Sequence, residues 1–93
     1  MANNLFISYD LSYPGQHYER VSDAIQKLGS WAKVQKSFWY INSPHSAEYV
    51  AKQIWASMDS NDSLIVVDAS NNDAYWYNLN SDVSQYLQSQ WRM

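Results

Sequence analysis

Positions 5–11 read Leu-Phe-Ile-Ser-Tyr-Asp-Leu, and the interpretation of the whole chain starts from this stretch. Its β-branched and aromatic residues alternate with small or polar ones, and residues 12–15 (Ser-Tyr-Pro-Gly) supply turn chemistry directly after it, which predicts a strand ending in a turn. Apolar residues then recur at helical spacing, at Tyr18, Val21, Ala24, Ile25 and Leu28. A first helix is therefore expected, with Gly29 placed as its C-terminal cap.

The segment from Trp31 to Asn42 is strand-like but too long for one ordinary strand, so we predict two strands with a tight reversal at residues 35–37. A second helix follows. Either Ser43 caps it, with Pro44 at its first position, or Ser46 caps it one turn later. Its predicted buried stripe consists of Ala47, Val50, Ala51, Ile54 and Met58.

Residues 64–67 (Leu-Ile-Val-Val) form a continuous apolar run, which is typical of a strand covered on both faces. Both helices of a two-layer βαββαβ domain lie on one face of the sheet, so the other face needs a cover. We expect a partner subunit there, packed sheet to sheet in a homodimer. Residues 74–79 then predict a fifth strand, and residues 82–92 a terminal helix with Val83, Tyr86, Leu87 and Gln90-Trp91 on one side.

The predicted fold class is therefore α+β: one domain spanning residues 1–93, a ferredoxin-like βαββαβ two-layer sandwich with a C-terminal fifth strand and helix. Five Trp, eight Tyr and two Phe exceed what so small a core requires, and such residues concentrate at interfaces. The absence of Cys excludes disulfides and thiolate metal sites. No long apolar run or targeting segment is visible, so a cytoplasmic protein without a membrane partner is expected.

Nine acidic residues against six basic ones give a formal net charge of −3, and the basic residues form no run. This balance disfavours a nucleic-acid partner, because backbone phosphates require a concentrated positive surface. Lys27, Lys33 and Lys36 alone lie close in sequence. The two histidines, His17 and His45, have no zinc-ligand spacing, and with glycines only at positions 15 and 29 the RNP1 motif of RNA-recognition domains cannot be written onto any strand.

Three short motifs resemble the Cas2-like branch of ferredoxin-like proteins, the CRISPR-associated Cas2 family and its small stand-alone relatives. They are residues 7–11 (Ile-Ser-Tyr-Asp-Leu), 34–39 (Val-Gln-Lys-Ser-Phe-Trp) and 62–64 (Asp-Ser-Leu), within a resemblance covering about residues 4–68. The chain departs from the family pattern at Phe38 and Trp39, and Arg20 alone represents the basic residues expected around the first helix.

The resemblance implies a homodimer in which Asp10 faces its symmetry mate and binds a divalent metal for nucleic-acid cleavage. In the family's sheet order 4-1-3-2, the end of the first strand lies beside the starts of the third and fourth, so Ser37 and Asp62 are expected near Asp10. Two Asp10 carboxylates would suffice for Mg²⁺, which keeps several waters. The other reading of Asp10 is a cap on the turn at residues 12–15.

The function expected from these observations is a Cas2-like homodimeric interaction module, non-catalytic or vestigially catalytic, in prokaryotic or phage-related nucleic-acid defence. It would need no cofactor and would bind a protein partner. The enzyme alternative is a Mg²⁺-dependent endonuclease with Asp10 as metal ligand and catalytic residue and Ser37 as positioning residue. A third reading is an acidic inhibitor that covers a basic nucleic-acid-binding surface on another protein, using Asp59, Asp62, Asp68 and Asp73.

Overall fold

The computed structural model describes residues 2–12 and 18–91. The strands are β1 (Asn3–Asp10), β2 (Ser30–Gln35), β3 (Phe38–Ser43), β4 (Ser63–Asp68) and β5 (Asp73–Tyr77), and the helices are α1 (Tyr18–Gln26), α2 (Ala47–Trp55) and α3 (Ser81–Gln90). The strands form one antiparallel sheet in the order β2-β3-β1-β4-β5. The predicted α+β class, the hairpin reversal, the fifth strand and the terminal helix are confirmed. Among the described residues, no helix has the length and apolarity needed to cross a bilayer.

The N-terminus of α2 distinguishes the two predicted caps. Ser46 is the N-cap, and its hydroxyl accepts a hydrogen bond from the Tyr49 amide at 3.1 Å. The hydroxyl of Ser43 instead accepts from the His45 amide, and Ser43 belongs to the end of β3. The interpretation with Ser43 as cap and Pro44 at the first helical position is therefore wrong.

The core lies between the sheet and the two helices α1 and α2. Strand residues that occupy cross-strand positions share a face, and Ile7 is opposite both Trp39 and Val66. These residues are 0–2% exposed, as are Val21 and Ile25 of α1 and Val50 and Ile54 of α2. The helical stripes predicted from the sequence therefore face the core, although Tyr18, Ala24, Leu28 and Met58 are only partly buried and Met58 lies beyond the end of α2.

Gly29 is required for a different reason from the predicted helix cap. Its φ is outside the left-handed region that a glycine cap uses. A Cβ at this position would overlap the Asn42 carbonyl oxygen and lie 3.0 Å from the carbonyl carbon. Glycine is needed here because the chain leaving α1 passes directly against the backbone of β3.

Helix α3 lies apart from this core, beside β5. Trp76 donates from Nε1 to the Ser84 hydroxyl at 2.9 Å, and Trp91 donates from Nε1 to the Asn72 carbonyl at 3.0 Å. The helix therefore runs antiparallel to β5. Val83 and Tyr86 remain 50% and 66% exposed, so these two residues of the predicted apolar side are open in the described part of the chain.

Candidate functional site

The face of the sheet opposite α1 and α2 carries a row of large apolar side chains. They alternate along the strands with the buried core residues, as the two-residue period of a strand requires. All are partly exposed. We call this set the apolar sheet face; its members are Phe6, Phe38, Tyr40, Ile65, Val67 and Trp76.

The centre of the apolar sheet face is an aromatic cluster on the two adjacent strands β1 and β3. Phe6 stacks on Phe38 with ring centroids 5.7 Å apart and planes inclined by 6°. Phe6 also packs against Tyr40, its cross-strand partner, at 5.5 Å. Such pairs fix ring positions across strands, so the aromatic side chains of this face hold defined positions within the single chain.

One end of this face is polar but uncharged. The Tyr40 hydroxyl donates to Asn4 Oδ1 at 2.6 Å, and Asn42 donates from Nδ2 to the Tyr40 oxygen at 3.4 Å. Carboxamides carry both donors and acceptors. A group of this kind can bind an identical group across a two-fold axis, since each copy can both donate and accept.

The apolar sheet face carries no positive charge on its strands. Among the described strands, β1, β3, β4 and β5 contain no Lys or Arg, whereas β2 contains Lys33, which is opposite Trp39 and hence on the core side. Asp10 lies at the other end of β1 and is exposed. The bases of a nucleic acid could stack on the aromatic rings of this face, but these four strands provide no cation for its phosphates.

The structure brings together the three segments that the family resemblance associates with Asp10. The Tyr9 amide donates to the Ser37 carbonyl at 3.2 Å, and Asp10 is opposite Ser63 in the β1–β4 pairing. Ser37 is thus adjacent to the end of β1 through its backbone. Within the described residues, no hydrogen bond joins the Asp10 carboxylate to another side chain.

Asp62 is buried, and its carboxylate connects two backbone segments. Its side chain is 2% exposed; Oδ1 accepts from the Ser12 amide at 2.8 Å and Oδ2 from the Asp59 amide at 2.7 Å. The Ser12 hydroxyl also donates to the Asn61 carbonyl. These contacts join the end of β1 to the loop before β4, and Asp62 rather than Asp10 satisfies the Ser12 amide. Residues 13–15 of the predicted turn, and His17, lie outside the described residues.

A metal centre within one subunit finds no support in the described ranges, where no group of three or more His, Asp or Glu side chains is close enough to hold an ion. His45 packs its ring on Tyr49 at 4.2 Å.

The acidic surface proposed for an inhibitor is smaller than the sequence suggests. Asp68 is 2% exposed and accepts from the amides of Ser70 and Asn71, both at 3.0 Å, and from the Asn71 side chain at 2.7 Å. Asp68 and Asp62 are therefore committed to loop structure. Of the four carboxylates named for this role, Asp73 is exposed and Asp59 partly so.

Tyr9 and Trp39 form a buried polar pair on the core side. The Trp39 indole donates from Nε1 to the Tyr9 hydroxyl at 3.1 Å. Burial raises the pKa of Tyr9 above its ordinary value, a shift only partly offset by this hydrogen bond. The phenol therefore stays neutral at physiological pH, and the Trp39 that departs from the Cas2-like pattern is a core residue.

Comparison with known proteins leaves the chain without an assigned family. No model of a known protein family matches it. No curated protein matches it significantly.

Proposed function

We propose that the protein is a homodimeric interaction module whose apolar sheet face packs against the same face of a second copy. The observation that carries the proposal is this uncharged aromatic and aliphatic surface on the side of the sheet opposite α1 and α2, formed by side chains from β1, β3, β4 and β5. Contiguous exposed apolar surface of this kind marks an interaction site in a monomeric fold.

The dimensions of the sheet suit a reversible dimer. Strands about 4.8 Å apart with a rise of about 3.3 Å per residue give four strands of six residues a projected area of roughly 400 Å². Two copies of this face together give roughly 800 Å², which is below the roughly 1,200 Å² that stable specific interfaces bury and in the range of weak, transient contacts. We therefore expect a dimer that dissociates at micromolar concentrations, strengthened where α3 adds contacts.

A second copy fits this face better than nucleic acid. Two-fold packing places identical surfaces together, which favours uncharged side chains and groups that both donate and accept, such as Asn4 and Asn42. Sheet-on-sheet packing also covers Ile65 and Val67, the members of the apolar run of β4 that face away from α1 and α2. Bases stacked on Phe6 and Tyr40 would leave their phosphates unpaired.

The ferredoxin-like arrangement and the Cas2-like assignment belong to the same proposal. Read from β4 to β2, four strands follow the order β4-β1-β3-β2, which supports the ferredoxin-like arrangement. The sequence motifs at residues 7–11, 34–39 and 62–64 support the Cas2-like assignment. On this basis the setting is nucleic-acid defence in a prokaryote or phage, with the dimer acting through protein contacts in the cytoplasm.

Light scattering coupled to gel filtration tests the dimer. We expect a mass of about twice the 10.9 kDa chain at ~100 μM, a concentration well above the dissociation constant of a micromolar complex. Ile65→Glu places an unpaired carboxylate of each subunit in the interface and should weaken the dimer at least about 100-fold.

Tyr49→Glu is the matched control, because it makes the same charge change at an exposed position on α2, away from the apolar sheet face. This variant should remain dimeric. A wild-type monomer at ~100 μM, a concentration chosen to exceed a micromolar Kd, contradicts the proposal. So does an Ile65→Glu variant that dimerises like the wild type.

The Mg²⁺-dependent endonuclease is the second candidate, supported by the position of Asp10 beside Ser37 at the exposed end of β1. On the preferred proposal, millimolar Mg²⁺ or Mn²⁺ leaves the melting temperature unchanged, and Asp10→Asn has little effect on stability. A metal site shared by two Asp10 side chains would instead raise the melting temperature, because a ligand of the folded state stabilises it by mass action.

Calorimetry and cleavage assays on single-stranded RNA and duplex DNA distinguish these results. Metal-dependent cleavage that disappears in Asp10→Asn while the dimer persists would establish the nuclease. Ser37→Ala should then reduce the rate without abolishing metal binding, since Ser37 is assigned only a positioning role.

A further inference from the structure

We propose that the outer edge of β2 binds a short, acidic, extended segment of a partner protein, which adds a strand to the sheet. Strand β2 is at the end of the sheet order and pairs with β3 on its inner side. All six of its residues are exposed. Its outward amides and carbonyls therefore form a template for another strand.

Charge selects the kind of segment. Residues 24–47 contain three lysines, Lys27, Lys33 and Lys36, and no Asp or Glu, although the whole chain has a net charge of −3. Lys27 follows α1, Lys33 lies within β2, and Lys36 lies in the turn after β2. The three lysines are therefore distributed along the chain that forms this edge. These lysines give the strand and the segments next to it a positive charge, which attracts carboxylates.

The side chains of β2 define a pattern for the partner. Trp31 and Lys33 share a face of the strand, since they are opposite Ile41 and Trp39. Trp31 packs on Trp39 at 5.4 Å yet is 49% exposed, and Lys33 Nζ lies 5.6 Å from the Trp39 ring. A strand added here would place an apolar residue beside Trp31 and an acidic residue, two positions away, beside Lys33.

The same features oppose a second copy of this chain at the β2 edge. Two β2 strands paired edge to edge would bring the lysines of both copies together. The register is also interrupted between Lys33 and Gln35, which limits regular pairing to Ser30–Lys33. Lysines and bulges commonly prevent edge strands from self-association. A short acidic segment is compatible with the lysines because of its charge, and with the interrupted register because it is short.

A nucleic acid is the less suitable occupant. Three lysines are fewer than the roughly six to ten phosphate contacts of a typical duplex-binding protein, and a sugar-phosphate chain cannot match the alternating donors and acceptors of a strand edge. The β2 edge is on the opposite border of the sheet from β5 and α3. The site therefore stays accessible whether or not the proposed dimer forms.

The test uses an acetylated and amidated fluorescent octapeptide, Val-Thr-Glu-Thr-Val-Thr-Glu-Thr, which presents alternating Val and Glu on one face. We expect saturable binding by fluorescence anisotropy and slower hydrogen exchange at outward-facing amides of residues 30–33. Replacing both Glu residues of the peptide by Lys should remove binding. The same peptide N-methylated at every residue should also fail to bind, because it keeps the charges but cannot form the strand pairing.

On the protein, Lys33→Glu combined with Lys36→Glu should weaken binding about tenfold or more by replacing attraction with repulsion. Lys52→Glu is the matched control: Lys52 is exposed on α2, where it pairs with Glu48, and this variant should bind normally. All variants are first checked for the wild-type melting curve and mass.

Two results overturn the proposal. Equal binding of the N-methylated peptide would show attraction by charge alone, and no detectable binding at ~1 mM peptide would exclude even a weak complex. Tighter binding of a twelve-nucleotide oligo-dT, with exchange protection at the same amides, would assign the edge to nucleic acid instead. None of these results depends on the mass of the free protein. A negative result in the peptide test would therefore leave the dimer proposal standing, and a negative result in the dimer test would leave this proposal standing.

Discussion

Ile54→Asp is expected to abolish folding. Ile54 is 0% exposed in the middle of the core that α2 forms with the sheet, and a carboxylate there has no partner among the apolar side chains around it. An unpaired buried charge costs several kcal/mol, against a total stability of roughly 5 to 14 kcal/mol for a chain of this length. On heating from room temperature, far-ultraviolet circular dichroism should show no cooperative unfolding transition, because the variant is already unfolded.

Two further variants identify the cause of this loss. Val21→Asp tests the same argument on α1, where Val21 is also 0% exposed, and it should unfold the protein as well. Tyr49→Asp introduces the same charge on α2 at a position that is 44% exposed, and it should fold. A soluble Ile54→Asp protein that melts cooperatively near the wild-type temperature would show that the buried face of α2 is assigned wrongly.

Much of the fold was predictable because it depends on local periodicity. The apolar spacing of Val21 and Ile25, and that of Val50 and Ile54, identifies the faces of α1 and α2 that the structure buries. The alternation in residues 5–11 likewise separates Ile7, which is buried, from Phe6, which lies on the opposite face. Hydrophobic period is a local signal, so it survives without knowledge of the tertiary structure.

Features set by contacts between distant segments were not predictable in the same way. Asp62 reads as a surface loop residue, yet it is buried because it accepts the Ser12 amide from fifty positions earlier. Val83 and Tyr86 were predicted to share a side of the terminal helix, but they stay exposed, and α3 contacts β5 through Ser84. Helical spacing shows which residues share a side but not which neighbour that side meets.

The candidate site was predicted in part. The continuous run of β4 indicated a covered second face, and the structure places Ile65 and Val67 there beside Phe6 and Tyr40. The individual aromatic members were not assigned from sequence, although the alternation Phe38-Trp39-Tyr40-Ile41 contains the signal. Whether a second copy covers this face stays a prediction, because association depends on the partner surface.

Gly29→Ala is expected to destabilise the protein strongly, in contrast to most glycine-to-alanine changes. At a position that tolerates a side chain, alanine stabilises by about 0.4–1 kcal/mol because it restricts the unfolded chain. At Gly29 the added methyl group meets the backbone of Asn42 and, at 3.1 Å, the Cβ of Ser43. Backbone atoms held in the β2–β3–β1 pairing cannot move away as a flexible side chain would, so α1 or β2 must shift.

Overpacking of this kind costs about 1–3 kcal/mol or more, which corresponds to a fall in melting temperature of roughly 5–20 °C for a domain of this size. Thermal denaturation followed by circular dichroism measures the shift. The control is Ser30→Ala, a change at the exposed neighbouring residue. Its melting temperature should stay within about 2 °C of wild type, as is usual for surface substitutions. The sign of the effect tests the close approach, because Gly29 has no positive φ and only the contact with β3 makes a Cβ unfavourable at this position. An unchanged or raised melting temperature in Gly29→Ala would mean that the chain leaving α1 does not pass against Asn42.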